Sequence, residues 1–304
     1  MAFGPPYRLS ALNLKTVNHL SLRIDIPEKL LNKIGDNPLS FYYPERKEKK
    51  PSGGERPINE PKPLLKSVQK KINRMLQEIK LPANFYGAVK NRSNIDNAAQ
   101  HTHKKYVANF DIEEFFPSIP YGKVRSLFIK LSCIPKVATL LAKLTTCEGR
   151  VPQGAPTSST LANLVLAQHE PRFRELARQF GLTVTFFQDD VTFSGQMDIS
   201  RIKNLVIRIF SQLGFQIHRD EKLSIKRNNE LQTVTGLTVN KKVNAPRNYV
   251  RELRSVIYIL RKKGSNTINI DSIKGKISYV QRVNPNIGNK LLQDFNEAIS
   301  LGKN

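Results

Sequence analysis

The stretch "TFFQDDVTFSG" (185–195) places two adjacent carboxylates, Asp189 and Asp190, inside a run of Phe, Thr and Val. β-Branched and aromatic residues at this density read as half-buried strand, here strand, tight turn, strand over 183–194. Adjacent carboxylates repel, and holding them in such a run costs free energy unless a cation compensates. A third carboxylate, Asp111, ends the strand-like "KKYVANFD", 78 residues before Asp189. Strand ends that far apart in sequence can be neighbours in one sheet. Three converging carboxylates bind hard divalent cations through oxygen, with Mg²⁺ the expected ion. Two such ions about 3.5–4 Å apart are the usual arrangement for in-line phosphoryl transfer, one activating a hydroxyl and one holding the triphosphate. Read alone, an Asp-Asp pair is also ordinary turn chemistry. The flanking phenylalanines and the second strand-end aspartate favour the metal reading.

The bulk composition agrees with a polyanionic partner. The chain has 304 residues, 39% of them hydrophobic, and 49 Lys plus Arg against 25 Asp plus Glu, a net charge of +24. Nucleic acid is the first reading of that excess, ahead of a membrane surface. No 18-residue apolar run occurs, so no transmembrane helix is expected. The N-terminus lacks a basic segment followed by an apolar core, so no secretory signal is expected, and the localisation expected is cytoplasmic. Cys133 and Cys147 have no metal-type spacing and are expected to be reduced and buried. No G-x-x-x-x-G-K-[ST] is present, which excludes a P-loop NTPase.

The elements that must position the carboxylates follow from periodicity and breakers. Helix is expected within residues 1–40, with Pro27 in the first turn of one helix and Gly35 as its stop. "PERKEKKPSGGERP" (44–57) reads as a charged hairpin tip. Leu65, Val68, Ile72 and Leu76 define an amphipathic helix over 62–79. A single helix is expected from Ser158 to Gly181, with Ser158 as its cap, and another from Asp198 to Gly214. A short hairpin is expected near 233–246, and basic helix from Arg247 onward. The order points to an α+β fold, an antiparallel sheet with helices packed on it.

Together these residues resemble a reverse transcriptase. "FDIEEFFPSI" (110–119) is similar to the family's motif A, "VPQGAPTSSTLANLVL" (151–166) to motif B, "FFQDDVTFS" (186–194) to motif C and "GFQIHRDEKLSI" to motif D. "KKPSGGERPI" (49–58) resembles the fingers hairpin of bacterial members. Within the family the chain is most similar to the retron branch, on "NAAQH" (97–101) and "VTG" (234–236). The resemblance implies a right-hand polymerase: an N-terminal helical extension (1–40), fingers (41–105), palm (106–240, with about 130–157 in the fingers) and a helical thumb (241–304).

The resemblance also implies roles. Asp111, Asp189 and Asp190 become ligands of two Mg²⁺ ions, with dNTPs as substrates. Phe116 aligns with the steric gate beneath the incoming sugar, and Phe115 with core. Lys50 and Arg56 align with a triphosphate clamp, and Gln153 with a residue near the nucleotide sugar and base. Gly154 allows close backbone approach. Lys222 aligns with a lysine proposed to protonate pyrophosphate. Asn97 and His101 are candidates for RNA contact or for structural roles, and Val234, Thr235 and Gly236 for RNA specificity. Arg251, Arg254, Arg261, Lys262 and Lys263 lie on a helical stretch suited to phosphate contacts. Phe187 stands where Tyr is usual, a loss of one hydrogen bond worth roughly 1 kcal/mol. Gln188 stands where Ala is common, and is expected near the nucleotide and primer.

The activity implied is retron-type RNA-directed DNA polymerisation: reverse transcription of a cognate noncoding RNA, primed from a guanosine 2′-OH, giving branched multicopy single-stranded DNA in antiphage defence. The partners implied are that RNA and its DNA product, a separate effector protein and a host RNase H, with no membrane. The competing readings are another bacterial reverse transcriptase, intron-like or diversity-generating, and an inactive RNA-binding scaffold. The clamp is directly testable: Arg56→Ala should raise the nucleotide concentration needed for half-maximal rate. Unchanged nucleotide kinetics would count against that role.

Overall fold

The computed structural model describes residues 9–49, 53–218, 223–263 and 269–301. Two short helices open it, α1 (Val17–Ile24) and α2 (Glu28–Asp36). Thr16 caps α1 by accepting from the His19 N–H at 2.9 Å. Gly35 does not stop α2. It is buried inside the helix, and a Cβ there would lie 2.5 Å from Leu140 Cδ1, so the missing side chain admits a neighbouring helix instead. The hairpin β1 (Arg46–Lys49) and β2 (Glu55–Ile58) pairs Lys49 with Glu55. Helix α3 (Pro63–Gln77) buries Leu65, Val68, Ile72, Met75 and Leu76 along one face. Helix α4 (Asn94–Ala99) starts on a capping box between Ser93 and Asp96.

Strand β3 (Tyr106–Asp111) is followed by α5 (Tyr121–Lys130), α6 (Pro135–Thr145), α7 (Ser158–Ala167) and α8 (Glu170–Gln179). The single helix expected over 158–181 is thus two. Pro171 explains the break, because its ring would clash with the carbonyl four residues back and it offers no N–H to a continuing helix. Ser158 is not the cap either. Thr157 occupies that position, while the Ser158 hydroxyl donates to the Pro152 carbonyl at 2.6 Å and closes the preceding loop. Strands β4 (Thr183–Phe187) and β5 (Asp190–Gly195) form the expected hairpin. Asp198 caps a 3₁₀ turn (Ile199–Ile202) that leads into α9 (Lys203–Gln212), and Gly214 (φ 72°) follows its end. Strands β6 (Ser224–Arg227), β7 (Thr233–Val234) and β8 (Leu237–Thr238) precede three helices, α10 (Arg247–Lys263), α11 (Ile270–Val283) and α12 (Pro285–Leu301).

The central sheet is antiparallel, in the order β4-β5-β3-β6. Alternation along its strands divides the work of its two faces. Ala108 and Phe110 of β3, Val191 and Phe193 of β5, and Val184 and Phe186 of β4 enter the main apolar core with α3 and α5–α9. The other face carries Val107, Asn109 and Asp111 opposite Ser194, Thr192 and Asp190. A second core joins α10, α11 and α12 through Leu253, Ile257, Leu260, Ile277, Val280 and Phe295. A small third cluster, Ala98, Val107, Val234, Leu237 and Val239, sits between α4 and β7–β8, with Tyr279 and Val283 of α11 against it. Among the described residues no helix is long and apolar enough to cross a membrane. Cys133 and Cys147 are free and buried, and burial pushes each thiol up to about 11.

Phe186 stacks on Phe85 at 4.6 Å between centroids and meets the Phe173 edge at 5.6 Å. Phe186→Ala should therefore cost about 3–5 kcal/mol. Phe180→Ala, at a 37% exposed position, should cost less than about 0.5 kcal/mol. Urea unfolding of the two variants checks the contrast; equal losses would contradict this account of the core.

Candidate active site

The sheet fixes three carboxylates at one end. Asp111 is the last residue of β3 and is paired with Asp190, the first of β5. Directly opposed residues in such a ladder have Cα atoms about 4.5–5.5 Å apart. Phe187 pairs with Asp190, so Gln188 and Asp189 form a two-residue turn. The Ile112 N–H donates to the Asp189 carbonyl at 3.0 Å and ties that turn to the end of β3. Asp111 and Asp190 lie on the sheet face away from the main core, because both are in register with Asn109 and Thr192.

Electrostatically the site gains a group that sequence reading missed. The His218 N–H donates to the Asp111 carbonyl at 3.0 Å, and the ring lies between Asp111 Oδ1 (3.3 Å from Nε2) and Glu113 Oε1 (3.5 Å from Nδ1). The bridge between Ile112 and Ile217 brings it there from 107 residues along the chain. Nothing local to His218 signals that neighbour. Among the described residues no group of three or more His, Cys, Asp or Glu side chains is arranged to hold a metal ion. The backbone brings Asp111, Asp189 and Asp190 to one edge, where Asp111 Oδ1 faces His218. Their donor set is oxygen throughout, which suits a hard divalent cation.

The next sequence candidates lie on three segments, the stretch after β3, the loop before α7 and the β1–β2 hairpin. Phe116 is half-buried, 5.5 Å from the buried Phe115 ring, which in turn packs on Phe215. Gln153 is half-buried, and its carbonyl accepts from the Asn59 N–H at 2.9 Å, joining the end of the β1–β2 hairpin to the loop before α7. Gly154 has φ 112°, a conformation that favours glycine, and a Cβ there would make a tight 3.1 Å contact with Ile58 Cγ2. Arg56 is held by Glu48 directly across the hairpin, with Nε at 3.0 Å and a terminal nitrogen at 2.6 Å from one carboxylate oxygen. That guanidinium keeps the Glu48 carboxyl below its usual range. Lys50 and Lys222 lie outside the described residues.

The Gln188 side chain is bonded within the protein. Its Nε2 donates to the Gly87 carbonyl and to Asn163 Oδ1, both at 3.0 Å.

Asn97, His101 and Val234 are each 0% exposed. Direct RNA contact by these three side chains is corrected on that ground. His101 lies across the polar sheet face, Nδ1 at 2.7 Å from Ser194 Oγ and Nε2 at 2.7 Å from Thr185 Oγ1. Burial lowers its pKa to about 3, so it is neutral. Thr235 and Gly236 form a turn with φ 46° and 80°. That turn is docked on α4: Asn94 Nδ2 donates to the Thr235 carbonyl (3.3 Å) and to the Tyr279 hydroxyl (2.8 Å). The short elements "NAAQH" and "VTG" are thus two sides of one junction between the sheet and the C-terminal helices. Arg251 and Arg254 are exposed on α10 and, with Lys241, Lys242 and Arg247, line a groove of about 1220 Å³. Arg261 and Lys262 are exposed near the end of α10, where Arg261 also pairs with Glu297 at 3.1 Å.

The comparisons with known proteins agree with this architecture. The family model described as "Reverse transcriptase (RNA-dependent DNA polymerase)" matches residues 47–239. The chain belongs to the reverse transcriptase family. Its relatives place it among the bacterial retron members. It is 33% identical over 275 residues to the retron Mx65 reverse transcriptase of Myxococcus xanthus, covering 83% of this chain and 63% of that protein. It is 32% identical over 272 residues to the retron Se72 reverse transcriptase of Salmonella heidelberg, covering 85% and 71%. It is 29% identical over 297 residues to the retron Ec86 reverse transcriptase of Escherichia coli, covering 94% and 91%. The chain spans about six tenths of the Myxococcus relative's length.

His101 makes stability depend on pH. The unfolded histidine takes up a proton near 6.5 and the folded one only near 3, so its contribution is complete above pH 6.5 and is lost progressively below it. At pH 5 the loss is about 2 kcal/mol. Burial lowers His169 to about 4, which adds to the same window. Urea midpoints at pH 7.5 and 5.0 should fall less for His101→Gln than for wild type; equal falls would contradict the neutral buried histidine.

Proposed function

We propose that this chain is an RNA-directed DNA polymerase of the retron kind, with its chemistry at the edge where Asp111 is paired with Asp190. The observation that carries the reading is that register, in a chain whose matched segment contains both strands. The central sheet with its helices serves as palm (106–240, with about 130–157 in the fingers). Residues 41–105 serve as fingers, residues 1–40 as a helical extension and 241–304 as thumb.

Asp111, Asp189 and Asp190 would hold two divalent ions, with Mg²⁺ suited to their oxygen donors. Once bound, those ions supply Lewis-acid activation of the attacking hydroxyl and charge neutralisation of the triphosphate. A primer hydroxyl oxygen bonds to the α-phosphorus of the dNTP, its proton passes to water, and the bond to pyrophosphate breaks with its electron pair leaving on pyrophosphate. Arg56 neutralises charge as it develops on the phosphates, with Lys50 six residues before it in the sequence. Glu48 holds that guanidinium until phosphate oxygens replace the carboxylate. Phe116 lies beneath the sugar, where its ring excludes a 2′-OH. Gln153 packs near the nucleotide, and Lys222 is the candidate proton donor to pyrophosphate. The exposed Arg251 and Arg254, with the groove of Lys241, Lys242 and Arg247, suit RNA phosphates. Such contacts give affinity and strong salt dependence without sequence reading.

The template in this reading is a cognate noncoding RNA, primed from a guanosine 2′-OH. Its product is branched multicopy single-stranded DNA, formed in the cytoplasm with a host RNase H trimming the template. An antiphage role would act through a separate effector protein. Expression with flanking DNA should yield RNase-sensitive branched DNA on a gel, and Asp189→Asn/Asp190→Asn should yield none. DNA surviving in the double variant would overturn the mechanism.

A further inference from the structure

We infer that Gln188, Asn163 and Gly87 form a three-way joint that fixes the Gln188–Asp189 turn, making Gln188 and Asn163 positioning residues for the carboxylates. The inference rests on the polymerase reading for its kinetic consequence and on geometry for the joint itself.

Gln188 has φ 56°, in the left-handed region that favours glycine. A side chain held there needs local compensation, and this one has it. Its Nε2 donates at 3.0 Å to both the Gly87 carbonyl and Asn163 Oδ1, and Asn163 Nδ2 donates to the same Gly87 carbonyl at 2.8 Å. The three groups therefore bond one another in a closed triangle. Asn163 is 1% exposed and sits within α7, so that corner is fixed by the core.

Gly87 completes the joint by having no side chain. A Cβ there would lie 2.6 Å from the Gln188 nitrogen and 2.8 Å from the Phe187 carbonyl carbon. The segment leading to Gly87 is fastened to β4 in turn: the Tyr86 N–H donates to the Phe186 carbonyl (2.8 Å) and the Phe186 N–H to the Asn84 carbonyl (2.9 Å). On its other side the turn is held by the β3–β5 ladder and by the Ile112 N–H on the Asp189 carbonyl. The turn is gripped from both flanks, and the Gln188 amide is the side-chain part of one grip. A turn free to tilt on that flank would move Asp189, the residue next in sequence.

Gln188→Met keeps the length of the side chain and removes its donors; Asn163→Leu does the same for the partner. Two readouts separate joint from chemistry. Amide exchange at Ile112 reports the turn directly and should speed at least ten-fold in each variant. Single-nucleotide incorporation on an RNA template with a DNA primer should lose at least ten-fold in kcat, with KM for dNTP within two-fold of wild type. The double variant should be no worse than the worse single variant, because either change opens the same triangle. Unchanged Ile112 exchange overturns the joint. Unchanged kcat with an altered KM or misincorporation rate returns Gln188 to a direct nucleotide contact and overturns the positioning role. Multiplying losses in the double variant overturn the coupling. If wild type incorporates nothing, the polymerase reading fails, and Ile112 exchange still decides the joint.

Discussion

The register between β3 and β5 is the constraint on which the rest depends. Side chains alternate with a period of two, so slipping the pairing by one residue would exchange the faces of a strand. It would put Phe110 or Val191 among polar groups and turn a carboxylate into the core. The apolar partners Ala108–Phe193 and Phe110–Val191 make that slip costly, and Thr192 donating to Asn109 Oδ1 at 3.0 Å adds a polar check on the other face. The position of Asp111 opposite Asp190 is therefore fixed by residues that carry no chemistry themselves.

The polar face of the sheet is used in two ways along its length. At the far end α4 lays His101 across Thr185 and Ser194, and the β7–β8 hairpin closes over Val107. At the near end the same face carries Asp111 and Asp190. Ser194 and Asp190 are four residues apart on one strand, about 13 Å. A neutral histidine suits the covered end, since a buried imidazolium would need a counter-charge that Ser and Thr hydroxyls do not provide. The α4 junction also contacts Tyr279, so the element that covers the sheet fastens the C-terminal helices to it.

Much of this was legible in the residues. The β4–β5 hairpin, the strand ending at Asp111, the β1–β2 hairpin and the antiparallel sheet with packed helices all follow from alternation, breakers and helical spacing. Motifs A to C fall within the segment that the family model matches. What escaped was long-range or depended on what a side chain meets. Gly35 reads as a stop until Leu140 is placed against it. His218 has no visible partner until the Ile112–Ile217 bridge forms, and Arg56 none until Glu48 lies across from it. Asn97, His101 and Val234 carry the polarity and placement of a recognition element, and only burial shows them to be inside. The bonds of Gln188 to Gly87 and Asn163, 101 and 25 residues away, have no local signal either.

The central claim is that Asp111, Asp189 and Asp190 act together as a divalent-ion site at the sheet edge. Mn²⁺ substitutes for hard divalent ions at oxygen sites and loses its free-ion electron paramagnetic resonance signal when bound. Titrating Mn²⁺ into the protein with a template–primer duplex and an incoming dNTP should deplete that signal. Asp111→Asn should leave most of it, beyond what duplex and nucleotide remove alone. A variant that withdraws as much Mn²⁺ as wild type would contradict the account.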